Sequence, residues 1–113
     1  MAVYLRMHFT STFNLINNLQ FWCSTNFSPS TGLQITFKGH TTAYATPAST
    51  DLGNSNIPTS DPGTANVDIG GSLAGSLSSA GYSDYIILQL ATTTSAAPGD
   101  TSLATLSGQY DES

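Results

Sequence analysis

The chain opens on alternation. Over residues 3–10, Val3, Leu5, Met7 and Phe9 fall on one parity, while Tyr4, Arg6, His8 and Thr10 fall on the other. That period of two predicts a half-buried strand. The same parity runs on through Phe13, Leu15, Leu19, Phe21 and Cys23, which places Gln20 and Trp22 on the outward side. Asn17 and Asn18 interrupt the pattern and mark a bulge or bend. After a loop carrying Pro29 and Gly32, Leu33, Ile35 and Phe37 alternate with Gln34, Thr36 and Lys38 as a third strand. Residues 40–46 either extend it past Gly39 or form a short strand of their own.

The second half is more broken. A polar stretch from Pro47 to Thr64 includes Ser60-Asp61-Pro62-Gly63, a good β-turn. Loops this long in a small domain are functional or hide a short edge strand. Val67 and Ile69 predict a brief strand. Leu73 and Leu77 stand at helical spacing, but the glycines around them favour a loop or weak hairpin. The strongest strand begins at Tyr85, where Ile86, Ile87, Leu88 and Leu90 predict burial on both faces and a central position. Residues 95–100 turn the chain, and residues 101–110 run back beside that strand. Together these signals predict six to eight short strands, with turns roughly every ten to fifteen residues. The expected architecture is all-β, an antiparallel Ig-like β-sandwich first and a jelly roll or small barrel second. At 113 residues it forms a single domain, 1–113.

Composition sharpens the class. Only 8% of residues are charged, against about 25% in an ordinary soluble domain. Serine and threonine, sixteen of each, fill the gap. The net charge is -5, and Arg6 and Lys38 are the only firm cations. Binding a nucleic-acid backbone needs several Lys or Arg near phosphates, so no nucleic-acid partner is expected. Docking on anionic membranes is disfavoured for the same reason, and no stretch approaches the ~20 apolar residues of a spanning helix. The residues starting at Met1 lack the pattern of a secretory signal peptide, so the expectation is synthesis in a cytoplasm without export by the general secretory route. Cys23 is the single cysteine, which excludes an internal disulfide framework; its parity predicts a small buried side chain.

Candidate chemistry is sparse. His8 and His40 lie on different segments with no neighbouring cysteine or carboxylate cluster, so they predict surface residues rather than metal ligands. The acids are scattered. Asp68 and Asp84 could meet in space, but a glycosidase pair also needs a cleft and a raised-pKa acid, which spacing cannot show. Asp51, Asp61 or Asp100 in loops could bind calcium weakly, without a calcium-loop pattern. No Gly-x-Ser-x-Gly elbow occurs. The glycines of residues 70–75 resemble a phosphate cradle only in composition. Asn26-Phe27-Ser28 is a formal glycosylation sequon. The reading is a protein that is not an enzyme and uses no cofactor. Its candidate contact residues are aromatic: Trp22, Tyr4, Tyr44 and Tyr82.

What remains is the kind of surface. Ser, Thr, Asn and Gly offer hydrogen bonds without net charge and lose little side-chain entropy when ordered. Few charges also leave sheet edges open to pairing with another chain. The closing region supplies a resemblance. Tyr82-Ser83-Asp84-Tyr85 leads an apolar strand, residues 95–99 form a Ser-Ala-x-Pro-Gly turn, and the last strand ends in Tyr110-Asp111-Glu112. These elements resemble the last two strands of small Ig-like modules in structural proteins of tailed bacteriophages and related viruses, and segments around residues 18–24 and 43–50 are similar too. The resemblance implies a non-enzymatic virion component, a capsid decoration or a tail or fibre part, present in many copies. Its partners would be other virion proteins and copies of itself. The alternatives are a carbohydrate-binding or adhesin module that recognises a host-surface glycan through its aromatics, and a subunit of an extracellular filament.

Overall fold

A computed structural model of the chain describes residues 2–24, 33–41, 55–92 and 105–113. Every regular element among them is a strand. They are β1 (Ala2–Leu5), β2 (His8–Phe9), β3 (Ile16–Cys23), β4 (Leu33–Thr41), β5 (Ser55–Asn56), β6 (Ser76–Leu77), β7 (Gly81–Tyr82), β8 (Tyr85–Thr92) and β9 (Leu106–Glu112). All pairings are antiparallel. One sheet has the order β1-β8-β4-β5, a second the order β6-β3-β9, and β2 with β7 forms a two-stranded ribbon. Each sheet has ends, so neither closes into a barrel.

The two larger sheets pack face to face as an antiparallel β-sandwich. Ile16, Leu19, Phe21 and Cys23 of β3 share one buried cluster with Phe37 of β4 and Ile86 of β8, and Leu5, Ile35 and Leu88 pack against it. Register explains the selection. Leu5 faces Ile86 and Phe37 faces Leu88 across the first sheet, and directly paired residues point to the same side. As its apolar run predicts, β8 is central, and both faces are covered: Ile86 is 0% exposed and Ile87, on the opposite face, 2%. The polar stretch after Pro47 does contain a short edge strand, β5; residues 47–54 lie outside the described ones.

Two β-bulges shape the fold. In β3 the pairing with β9 slips between Asn17 and Gln20, and Asn18 takes a positive φ of 51°, a conformation asparagine tolerates better than most residues. The extra residue reverses parity, so Ile16 rather than Leu15 enters the core ahead of Leu19. The second bulge lies where the β1–β8 pairing gives way to the β2–β7 ribbon. Leu5 pairs with Ile86, whereas the Ser83 amide donates to the Met7 carbonyl at 2.9 Å. Asp84 and Tyr85 therefore oppose the single residue Arg6. The buried Ser83 hydroxyl secures this kink by accepting from the Met7 amide and donating to the Asp84 carbonyl, each at 2.9 Å.

Three expectations need correction. The last strand does not return beside β8; β9 crosses to the other sheet and pairs with β3. The segment carrying Val67 and Ile69 is irregular apart from an isolated bridge between Ile69 and Ser72, although both apolar side chains are fully buried. Its backbone is used differently, because the Asn66 and Val67 amides donate to the Leu19 carbonyl. Gln20, expected outward, is 3% exposed and its Oε1 has no hydrogen-bond partner.

Candidate functional site

The Asp84–Tyr85 bulge builds the main surface feature. In a regular strand, residues three apart point to opposite faces. The inserted residue places Tyr82 and Tyr85 on one face, together with Tyr4, Arg6 and His8, which share it by simple alternation. The His8 and Tyr82 rings stack with centroids 4.2 Å apart and planes 9° from parallel. The Arg6 guanidinium carbon lies 3.8 Å from the Tyr82 ring centre and 4.9 Å from that of Tyr85. Tyr85 meets Tyr4 edge to face at 6.1 Å. The result is a ladder running Tyr4, Tyr85, Arg6, Tyr82, His8 along the outer face, with Tyr82 45% exposed. Cation–π contacts of this kind contribute about 0.5–1 kcal/mol at exposed sites. Lys38 sits on the same face, since it pairs with Ile87, which in turn pairs with Tyr4. Both firm cations of an acidic chain thus share one side of the sandwich.

His8 also borders a cleft of about 170 Å³ lined by Phe9, Thr10, Ser11, Phe13, Ile16, Tyr110 and Glu112. Its floor is the edge of the core: Phe9 is buried, and Tyr110 packs edge to face against it at 5.1 Å. Its rim carries hydroxyls, an imidazole and one carboxylate. The volume is below the ~300–1,000 Å³ of drug-sized pockets, so the cleft accommodates a small polar group rather than an extended ligand.

Of the aromatic residues singled out in the sequence, the structure brings Tyr4 and Tyr82 together through Arg6 and Tyr85. Trp22 is half-buried on the other sheet and takes no part in the ladder. Tyr44 lies outside the described residues, as does the side chain of His40. Tyr85 and the stacking role of Arg6 were not anticipated. Their signal was the Tyr-x-x-Tyr spacing of residues 82–85, which becomes informative only once a bulge is placed there.

Asp68 and Asp84 do come together. The Asp84 amide donates to the Asp68 carbonyl at 3.0 Å. Burial raises the Asp84 carboxyl above its ordinary value of 3.8, repulsion from Asp68 raises it further, and a hydrogen bond from the Gly71 amide opposes both. The Asp84 Oδ2 is buried without a hydrogen-bond partner. Neither acid lines the cleft, whereas glycoside hydrolysis places its two carboxyls on either side of a bound sugar. Among the described residues, no three His, Cys, Asp or Glu side chains gather as metal ligands would.

The other distinctive region is the β9 edge. The Ser24 amide donates to the Thr105 carbonyl, and Leu15 and Ser113 exchange both backbone bonds. With the β3–β9 register, antiparallel alternation then directs the N–H and C=O of odd-numbered β9 residues toward β3. Those of Leu106, Gly108, Tyr110 and Glu112 face away from the sheet. By contrast, the far edge of β3 is covered beyond β6. The Asn66 side chain accepts from the Phe21 amide and donates to the Phe21 carbonyl, each at 2.8 Å, and the Cys23 amide donates to the Pro58 carbonyl. No protein family, curated protein or solved structure matches the chain.

Proposed function

We propose that this protein is a non-enzymatic structural subunit of a virion, a capsid decoration or a tail or fibre component present in many copies. The observation that carries this reading is the β9 edge. A seven-residue strand ends its sheet, with the side chains of Leu106 and Tyr110 each 42% exposed. Long edges bearing apolar residues are templates for pairing with another chain, and proteins that work alone blunt them. The hydroxyl-rich, weakly charged exterior fits the same use, because closely packed neighbours meet little like-charge repulsion. Co-purification through a density gradient with particles assembled in the producing cell tests the reading. Tagged protein should band with particles, and recovery only as soluble monomer would refute it.

The aromatic ladder favours a second reading, a host-surface glycan-binding module. Stacked Tyr82 and His8 beside a polar cleft offer a flat apolar platform next to hydrogen-bonding groups, as a sugar ring requires. On a glycan array this reading predicts saturable binding that Tyr82→Ala reduces at least tenfold. Binding equal for the variant and the parent would remove the ladder from consideration.

A further inference from the structure

Among the described residues the two larger sheets present four edges, and they are unequal. β5 and β6 are two residues long, and β1 is four. Among the described strands, only β9, with seven residues, ends a sheet with several consecutive outward-facing amides and carbonyls; β1 stops at Leu5, where the Asp84–Tyr85 bulge interrupts that edge. Its side chains are uneven too. Gly108 lies opposite Phe21 and Leu106 opposite Cys23, so Leu106, Gly108 and Tyr110 point to the inner face of their sheet. They occupy the place where the core runs out: Phe21 and Cys23 are buried, whereas Leu106 and Tyr110 remain half-exposed. The Gly108 position is filled from within, since a Cβ there would meet the Met7 Cε at 2.6 Å.

This pattern is self-complementary. We infer that β9 pairs antiparallel with β9 of a second copy about a twofold axis at Gly108, with Leu106 opposite Tyr110 of the second copy; the inference rests on the assembly role proposed above. In this register Leu106, Gly108 and Tyr110 each exchange N–H and C=O bonds with the second copy. The two apolar side chains cover each other across the axis, and two three-stranded sheets become one of six. Twofold pairing makes each contact occur twice. Charge selects the register: Asp111 falls opposite Thr105 of the second copy. Pairing about Asp111 or Glu112 would instead set like charges face to face, which is destabilising.

The test uses outer-face residues, which leave the apolar rim intact. In the inferred register Ser107 lies opposite Gln109 of the second copy at a non-hydrogen-bonded position, where Cα atoms are about 4.5 Å apart, close enough for a disulfide. Ser107→Cys and Gln109→Cys are made singly in the full chain, mixed, and oxidised. Each buries its native Cys23 as the parent does. The expected result is a disulfide-linked dimer in the mixture and in neither variant alone. Linkage of Gln109→Cys alone, linkage of Ser107→Cys alone, or no linkage at concentrations where the parent self-associates would each overturn the register. A parent that stays monomeric up to millimolar concentration by analytical ultracentrifugation would overturn the pairing itself. Particle incorporation is scored separately. Particles that carry the protein while the mixture fails to link refute the pairing and leave the structural role standing. Linkage without incorporation supports the pairing and refutes the virion role.

Discussion

Asn66 is the strongest test of how this sandwich is held together. Its amide replaces a missing strand along the far edge of β3, accepting from the Phe21 N–H and donating to the Phe21 C=O, both at 2.8 Å. Phe21 is buried, so its backbone groups have limited access to water instead. Asn66→Ala removes both partners and leaves a donor and an acceptor unpaired. At about 1–3 kcal/mol for each orphaned group, reduced because the site is only partly enclosed, the expected loss is about 2–4 kcal/mol. A chain of 113 residues has an unfolding entropy near 0.24 kcal/mol/K, taking about 2.1 cal/mol/K per residue, so Tm should fall by roughly 8–17 °C. Urea titration followed by tryptophan fluorescence reads the change directly, since Trp22 adjoins Phe21. Asn66→Asp adds a sharper control. At neutral pH its second oxygen opposes the Phe21 carbonyl, acceptor against acceptor, so it should be no more stable than the alanine variant. As pH falls and the carboxyl protonates, its O–H can donate, and stability should recover relative to Asn66→Ala. A midpoint for Asn66→Ala within about 0.5 kcal/mol of the parent would refute the account, as would an Asn66→Asp variant with full stability at pH 7.

Two further outcomes follow from the Asp84–Tyr85 bulge. Ser83→Ala leaves the Met7 amide without its side-chain acceptor, so it should cost about 1–3 kcal/mol in urea unfolding and speed hydrogen exchange at Met7; unchanged exchange there would contradict the role. For Asp84 the folded carboxyl sits above its ordinary 3.8, so the folded state binds the proton more tightly than the unfolded chain. Its contribution is therefore fully favourable below pH 3.8 and is lost as pH rises through the raised folded-state value. Asp84→Asn should remove that slope, keep an acceptor for the Gly71 amide, and exceed the parent in stability at neutral pH but not in acid; the reverse ordering would sink the assignment.

The sequence carried the fold wherever alternation was uninterrupted. Leu5, Ile35 and Phe37 face inward as their parity requires, and the unbroken apolar run at Ile86 and Ile87 does mark a central strand. Legibility failed where a residue was inserted. Asn17-Asn18 announced a bulge, but its consequence, the exchange of Leu15 for Ile16 in the core, depends on the pairing on either side of it. The Asp84–Tyr85 bulge had no such flag, because Ser-Asp also suits ordinary strand starts, and so the ladder of Arg6 and Tyr85 stayed hidden. Partner choice was the other blind spot. A Pro-Gly turn suggests a hairpin, yet β9 lies against β3 because Leu106 and Gly108 match Cys23 and Phe21 across the sheet. Periodicity reports which face of a strand is buried and is silent about which neighbour buries it.

That silence bears on why the edge at β9 is open at all. Natural sheets commonly protect an edge with lysine, proline or a bulge. β9 has none of the three: its charges, Asp111 and Glu112, lie together at one end, and its irregular pairing arises from the extra residue in β3. The far edge of β3 receives the opposite treatment, closed by β6, the Asn66 amide and the Pro58 carbonyl. Closing one edge so thoroughly while leaving the other bare among the described residues restricts growth of the sheet to one direction. A twofold contact at this edge ends in a dimer, because each copy then has no second long edge among the described strands to offer. Under the proposed virion role, larger assemblies would use another surface, and the outer face that gathers Arg6, Lys38 and the tyrosine ladder is suited to it. An acidic chain that gathers both firm cations on one face repels an acidic neighbour least from that side.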